Sequence, residues 1–175
     1  MQLKDSGERR TFSTGAVRDV AEGKGRCDLL PLKVVGDFFQ DPVFVEIERY
    51  VRNGSPDSLF GAILWAIEKF GWDKPTAILE VSKQYEDGAR KYNERNWEKG
   101  IPLHCYIDSG VRHYLKFLRG DKDEPHDRAF VWNMLGAIWT HENHPELIDL
   151  PFAQKDNPAE EPPKDKADEA ETKLF

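Results

Sequence analysis

Only two cysteines, Cys27 and Cys105, occur among the 175 residues, and no long apolar run is present. Two cysteines are too few for a disulfide framework, so we expect free thiols in a reducing compartment. No stretch approaches the roughly 18 apolar residues that a membrane span needs. The first 15 residues lack the apolar core of a secretion signal. The sequence therefore predicts a soluble, cytoplasmic protein that has no contact with a membrane.

An excess of positive charge is also missing. Charged residues make up 33% of the chain, and the net charge is −7. A protein that coats a nucleic-acid polymer would show a basic surface, so this class is excluded. A small anionic ligand, held by a few local lysines and arginines, remains compatible with the composition. Aromatic residues reach 11%, enough for a real core, and the length favours one domain over two small ones.

Apolar residues recur at helical spacing along most of the chain. The pattern marks helices near residues 42–54, 57–71, 73–92, 104–119 and 125–142. Prolines near the starts and glycines after the ends support three of these boundaries. An alternation with a period of two persists nowhere. We therefore predict an all-α bundle of five or six helices.

The two ends of the chain have a different composition. Residues 1–30, rich in glycine and charge, are expected to form a long loop or arm that contacts the substrate. Residues 153–175 contain seven acidic residues and four lysines with almost no apolar content, which predicts a disordered acidic tail. A partner-binding role for this tail is an alternative. The helical domain then spans residues 31–152.

Four acidic side chains crowd the stretch RGDKDEPHDRAFVWN, at residues 119–133, just before an apolar helix. Glu124 and Asp127 are three residues apart and share a helix face. Capping is one explanation, with Asp123 as the cap. However, Asp121, Asp123, Glu124 and Asp127 repel one another unless a cation neutralises them, and Mg²⁺ accepts such oxygen ligands. The cluster therefore predicts either a capped helix or half of a cation site.

A second helix contributes the facing half of this hypothetical cation site. On residues 76–92, Glu80, Gln84, Asp87 and Lys91 form a stripe, which a solvated face would also explain. Glu80 lies nearest the apolar side, and inward carboxylates on facing helices are a common source of metal ligands in bundles. We therefore expect Glu80 to be a ligand.

Basic residues accompany glycines in the N-terminal stretch STGAVRDVAEGKGRCDLLPL. Arg18, Lys24 and Arg26 supply the charge, and the glycines allow close backbone approach. Such a loop can cradle phosphates, although it is not a Walker motif. We assign these three residues to substrate binding.

Further along the chain, Arg112 and Arg119 could clamp phosphate oxygens or pair with acidic residues such as Asp108 on a solvated face. Trp97 could stack on a base or fill the core. On the helix after the acidic cluster, His126 shares a face with Asn133, a polar residue in an apolar run. Both are assigned to substrate binding.

Three stretches in order give the chain a resemblance to a known family. They are TGAVRDVAEGKGRCDLLPL, EVSKQYEDGARKYNERNWEKGIPLH and RHYLKFLRGDKDEPHDRAFVWN. Together they resemble the phage-type dATP/dGTP diphosphohydrolases, which are akin to the all-α, MazG-like nucleotide pyrophosphohydrolases. The resemblance covers about residues 11–145.

The resemblance implies a chemistry and an assembly. The expected reaction is Mg²⁺- or Mn²⁺-dependent cleavage of a purine deoxynucleoside triphosphate between the α- and β-phosphates, which gives the monophosphate and pyrophosphate. The expected protein is a homo-oligomer, a dimer or a tetramer, in the host cytoplasm if it is phage-encoded.

The resemblance also assigns residues. MazG-like enzymes combine an EExxE helix with an ExxD helix, and Glu124–Asp127 matches ExxD. The chain has no EExxE, so Glu80 and Glu86 are the expected first-helix ligands beside Glu124 and Asp127. The catalytic set is Glu80, Glu124 and Asp127. By the same resemblance, the substrate site includes Lys91, Asn96, Arg112 and His113.

Two other functions compete with this one. The dipeptide His126-Asp127 is typical of HD-type phosphohydrolases, whose H…HD…D set could be completed by His104 or His113 and by Asp149. Such an enzyme would release triphosphate or phosphate. The second alternative is a catalytically silent nucleotide-binding or interaction protein, which would bind without turnover.

Overall fold

The computed structural model describes residues 7–154, and most of these residues are helical. Seven α-helices lie in this part of the chain: α1 (Leu32–Phe39), α2 (Pro42–Asn53), α3 (Pro56–Phe70), α4 (Lys74–Tyr92), α5 (Leu103–Arg119), α6 (His126–Asn143) and α7 (Pro151–Gln154). The all-α prediction is confirmed. The five helices that the pattern marked are α2 to α6, and the short helices α1 and α7 are additional. Ala153 and Gln154 belong to α7, whereas the rest of the predicted disordered tail lies outside the described residues.

Helix boundaries follow from local chemistry. Asp41 accepts a hydrogen bond from the backbone N–H of Val43 (3.1 Å) at the start of α2, and Asp73 does the same for Thr76 (2.7 Å) in α4. These carboxylates satisfy N–H groups that the first helical turn leaves without partners. Gly54 ends α2 with a φ of +72°, a left-handed conformation that glycine adopts without steric cost.

Helices α5 and α6 form the most extensive helix pair, and α3 and α4 pack against α6. The aromatic side chains of Phe44, Tyr50, Tyr106, Tyr114 and Phe130 are fully buried in this core. Their burial removes large apolar areas from water and fixes how α2, α5 and α6 meet. No helix within residues 7–154 combines the length and apolar character that crossing a membrane would require.

The part of the N-terminal arm that the structure describes contains a short β-hairpin. Strand β1 (Arg9–Thr11) pairs antiparallel with β2 (Val17–Asp19), and Arg10 lies directly opposite Arg18. Three-residue strands are too short to produce a recognisable period of two, which explains why the sequence pattern did not indicate them. Asn96 holds β2 in place: its side-chain amide accepts from the N–H of Val17 and donates to the carbonyl of Val17, both at 2.9 Å.

Candidate functional site

A cavity of about 900 Å³ lies between the hairpin, the C-terminal half of α4, the 3₁₀ turn Asn96–Lys99, the middle of α5, the segment before α6 and residues Trp132 and Asn133 of α6. Small-molecule sites in proteins commonly have volumes of roughly 300–1,000 Å³, so this cavity has the size of a ligand site. Every wall of the cavity comes from a segment that the sequence had marked for substrate or metal binding. The cavity is therefore the candidate site.

The structure brings most of the predicted site residues together at this cavity. Those that line it are Arg18, Lys24, Glu86, Lys91, Asn96, Trp97, Arg112, His113, Glu124 and Asn133. Residues from the arm, α4, α5 and α6, far apart in the chain, thus share one space. Arg10 also lines the cavity, and the sequence analysis did not identify it. Its position opposite Arg18 in a very short hairpin left no periodic signal.

Four predicted site residues do not line the cavity. Glu80 forms an ion pair with Lys83, which lies one turn further along α4. Arg26 forms a bidentate ion pair with Asp28, with hydrogen bonds of 2.7 and 2.6 Å. The other two, Asp127 and His126, lie on the first turn of α6: the carboxylate of Asp127 accepts from the N–H of Arg128 at 2.8 Å, and His126 is buried behind His113.

The acidic cluster before α6 is neutralised by nearby cations. Asp121 pairs with Arg119, and Asp123 accepts from Lys116 at 3.0 Å and from His126 Nε2 at 2.8 Å. These hydrogen bonds, first from Lys116 and then from His126, hold the pKa of Asp123 below its usual range. No side-chain cap bond occurs at the start of α6, so Asp123 does not serve as the helix cap.

A chain of hydrogen bonds connects this acidic segment to the cavity through two histidines. His126 Nδ1 lies 3.0 Å from His113 Nδ1, and the carboxylate of Glu124 lies 3.9 Å from the same His113 atom. Burial lowers the pKa of His113 to about 3, helped by the neighbouring positive charges of His126, Arg18 and Arg112. His113 is consequently neutral at neutral pH. Since Nδ1 is engaged, Nε2 is the ring nitrogen left for a ligand.

Two groups of side chains within the described residues have the spacing of metal ligands: His113, Glu124 and His126, and Asp121, Asp123 and His126. Within each group the ligand atoms lie within 4.8 Å of one another. Glu124, one of the four predicted metal ligands, belongs to the first group. Glu80, Glu86 and Asp127 belong to neither, and Glu86 pairs with Arg90 at the mouth of the cavity.

The H…HD…D set of the competing hypothesis is only partly assembled. His113 and His126 touch, but Asp149 binds His104 instead, accepting from its backbone N–H at 3.0 Å and forming an ion pair with its ring. Neither Asp127 nor Asp149 joins a metal-ligand group in the described part of the chain. The geometry favours the His113 and Glu124 cluster over an HD centre.

Arg18 is the most unusual cation of the cavity. It donates to the carbonyl of Cys105 (3.2 Å) and to Asn133 Oδ1 (2.9 Å), and its guanidinium lies over the rings of Tyr106 and Trp132. All four partners are neutral. Burial lowers the pKa of Arg18, and the nearby charge of Arg10 lowers it further. Asn133, predicted to bind substrate, therefore holds Arg18 in position.

Aromatic side chains form another wall. Tyr85, Trp97 and Trp132 line the cavity, with the Tyr85 ring 5.6 Å from Trp97 and 6.1 Å from Trp132. Burial raises the pKa of Tyr85 to about 12, so its hydroxyl stays protonated. Flat aromatic surfaces of this kind can stack on a purine base. Trp97 also contacts Trp139 at 4.9 Å, so it both supports the core and faces the cavity.

Fold and site together define an all-α protein with a pocket that joins half-buried arginines, an imidazole–carboxylate cluster and aromatic walls. Residues 65–150, 86 of the 175 residues, match the family model described as dATP/dGTP diphosphohydrolase, N-terminal, and this match supports the family that the sequence motifs indicate. The match covers α4, α5 and α6, and hence His113 and Glu124, whereas the hairpin with Arg10 and Arg18 precedes it. Searches of curated proteins and of solved structures gave no match.

Proposed function

We propose that this protein hydrolyses a purine deoxynucleoside triphosphate, dGTP or dATP, to the monophosphate and pyrophosphate in a reaction that depends on a divalent cation. One water molecule is consumed, and the bond that breaks joins the α-phosphorus to the oxygen that bridges it to the β-phosphate. The name of the matched family supports the diphosphohydrolase class and the substrate. The metal dependence and the exact products are part of the proposal.

The observation that carries the proposal is that Arg18, His113 and Glu124 line the same cavity. A half-buried guanidinium with only neutral partners favours an anionic ligand, because a charge that is partly withdrawn from water is costly without a counter-charge. The imidazole–carboxylate cluster, in turn, favours a cation. A nucleoside triphosphate with its divalent ion supplies both charges, and the aromatic wall suits its base.

The side chains around Glu124 suit the expected ion. Mg²⁺ is commonly bound by one or two carboxylates together with substrate phosphates, and Glu124 and Asp123 both line the cavity. Mn²⁺ would in addition accept the imidazole of His113. When bound, such an ion neutralises phosphate charge and lowers the pKa of a water molecule.

The chain's own residues then have separate tasks. Lys91 and Arg112, which line the cavity, are already bound to Asp19 and Asp108, so they mainly hold the hairpin and the following loop. Arg112 also donates to the carbonyls of Lys24 (3.2 Å) and Gly25 (3.0 Å). Trp97 and Trp132 would contact the base. We also propose a homo-oligomer, as the family resemblance implies.

Product analysis tests this function. The protein is incubated with each deoxynucleoside triphosphate and Mg²⁺ or Mn²⁺, and the products are separated by ion-exchange chromatography. We expect a monophosphate and pyrophosphate, most rapidly from dGTP or dATP. A nucleoside with triphosphate would instead support an HD-type enzyme, and binding without turnover would support a silent nucleotide-binding protein.

Two variants then locate the metal-binding carboxylate. Glu124→Gln, which changes a cavity residue, is expected to lower kcat by about 100-fold, as loss of charge stabilisation in a site typically does. Asp127→Asn is the matched control, because its carboxylate lies outside the cavity and should be dispensable within a few-fold. A larger loss of kcat in Asp127→Asn than in Glu124→Gln would instead identify Asp127 as the metal-binding carboxylate.

A further inference from the structure

Arg10 and Arg18 form a pair of like charges in the hairpin. They lie opposite each other in the β1–β2 register, and both line the cavity. Directly opposed like charges destabilise a strand pair. Arg10 Nε is buried without a hydrogen-bond partner in the described residues, although Arg10 Nη2 donates to Cys105 Sγ at 3.3 Å. The hairpin alone thus gives no reason to place two guanidinium groups side by side.

The other cations around the cavity differ from this pair. Most of them are neutralised by a carboxylate, in the ion pairs Lys91–Asp19, Arg95–Glu98, Arg112–Asp108 and Lys116–Asp123. Within residues 7–154, no ion pair with a carboxylate is formed by Arg10 or Arg18. Lys24 is likewise without an ion pair there, but it is exposed to water. The two opposed arginines are therefore half-buried cations of the cavity that lack an acidic partner within the described residues.

The partners of the two arginines fix their positions. Arg18 is held by the carbonyl of Cys105 and by Asn133, and Arg10 by Cys105 Sγ and by the ring of Phe12, 4.9 Å from its guanidinium carbon. Both side chains are thus pre-organised against α5 at Cys105. Two fixed guanidinium groups favour a ligand with more than one negative charge, and guanidinium matches phosphate oxygens in geometry.

We infer that Arg10 and Arg18 form a metal-independent site for the terminal pyrophosphate portion of the nucleotide, and for pyrophosphate itself after cleavage. The inference rests on the proposed function for the identity of the nucleotide. It goes further in assigning a binding site to a hairpin outside residues 65–150, and in predicting that pyrophosphate stays bound as an inhibitory product.

Calorimetric titration of the full chain with inorganic pyrophosphate, in EDTA and at low salt, tests the inference directly. We expect the unmodified protein to bind pyrophosphate without a metal. Arg10→Gln should weaken this binding at least 10-fold, and Arg10→Lys, which keeps the charge but loses the planar fork, should be intermediate. Arg49→Gln is the matched control, since Arg49 pairs with Glu46 on α2, away from the cavity.

A parallel titration with dGMP separates the terminal phosphates from the α-phosphate. Binding of dGMP should change less than threefold in Arg10→Gln, because this ligand has no terminal phosphates. An equal loss for dGMP and pyrophosphate would overturn the assignment, and so would pyrophosphate binding that needs metal or ignores Arg10. Arg10 is the residue substituted because Arg18 forms hydrogen bonds to both α5 and α6, so its loss would also disturb the fold. Circular dichroism checks that each variant is folded.

The outcomes also separate this inference from the proposed function. Arg10-dependent pyrophosphate binding in a protein that hydrolyses no nucleotide would leave the phosphate site in place and remove the enzymatic proposal. Hydrolysis to monophosphate and pyrophosphate, with a pyrophosphate inhibition constant unchanged in Arg10→Gln, would support the enzymatic proposal and remove the phosphate site at Arg10 and Arg18.

Discussion

Single residues in this protein acquire their roles from neighbours that are distant in the chain. Arg18 is one of several arginines in the sequence, but its contacts with Cys105, Asn133 and Tyr106 make it a half-buried cation with neutral partners. Desolvation, and then the neighbouring charge of His126, lowers the pKa of His113 and so favours its neutral imidazole. In both cases the chemistry follows from local burial and charge, which set the protonation and the ligand preference of a side chain.

The His104–Asp149 pair gives a pH dependence at the residue scale. Hydrogen bonds to Asp149 and then to Cys105 raise the pKa of His104 from 6.5 to about 10. Burial alone would raise the pKa of Asp149, but its hydrogen bonds with His104 outweigh burial and lower it. The stability from His104 is therefore fully present below pH 6.5 and is lost as the pH rises towards 10. The contribution from Asp149 is present above its ordinary pKa of 3.8 and is lost in acid.

We expect the pair to stabilise the fold most between about pH 4 and 6.5. Both side chains are about a third exposed, so the contribution is about 1 kcal/mol or less, or roughly 2–4 °C in Tm. Asp149→Asn should remove the part of the Tm decline between pH 6.5 and 10 that the wild-type protein shows. Glu146→Gln, at the exposed partner of His144, is the control. An unchanged pH profile in Asp149→Asn would contradict the assignment.

At the scale of elements, α5 carries His113, and the segment between α5 and α6 carries Glu124. The close approach of these two helices depends on small residues. A Cβ built on Gly136 of α6 would lie 2.9 Å from Tyr106 Cζ, and the Tyr106 ring is fully buried. A rigid aromatic ring in a packed core cannot move aside cheaply. Gly88 of α4, by contrast, has no atom within 4 Å of such a Cβ.

The same substitution should therefore have opposite effects at these two glycines. Gly136→Ala is expected to destabilise the fold by about 1–3 kcal/mol through overpacking. Gly88→Ala should stabilise it by roughly 0.5–1 kcal/mol, because alanine lowers the entropy of the unfolded chain in a helical conformation. Urea unfolding monitored by circular dichroism measures both. A Gly136→Ala protein as stable as wild type would show that α5 and α6 can separate without cost.

At the scale of the whole molecule, several large apolar side chains remain exposed. Phe60, Leu64 and Trp65 on α3 each expose nearly half of their surface, and Ile78 and Leu79 on α4 expose more than half. Phe60 and Leu64 are one helical turn apart, so they share a face. Apolar surface that stays in contact with water is available to a partner, in agreement with the proposed homo-oligomer.

Sedimentation analysis should accordingly give a mass of at least twice the 20.2 kDa of one chain. Leu64→Glu should shift this mass towards one chain, because a charge in an apolar interface is unfavourable. Leu29→Glu, at an exposed leucine on the 3₁₀ turn after the hairpin, should leave it unchanged. A wild-type protein that sediments as a monomer would rule out the oligomer.

The sequence by itself determined the helices. The spacing of apolar residues and the proline and glycine boundaries act over a few residues, so α2 to α6 are readable from the chain. The family was also accessible, because its motifs are contiguous. Site residues that lie inside these contiguous motifs, such as Arg18, Arg112 and Glu124, were identified for the same reason.

Only the tertiary structure decided which of these side chains meet. Glu124 faces His113, whereas Asp127, three residues later, turns away to the N–H of Arg128. Arg10 enters the cavity only because a hairpin places it opposite Arg18. Spacing along a helix gives the face of that helix, but the partner of that face depends on how helices and hairpin pack, which is a long-range property. Packing therefore decides which carboxylates lie beside His113 and which arginines lack an acidic partner, and local sequence patterns do not encode either.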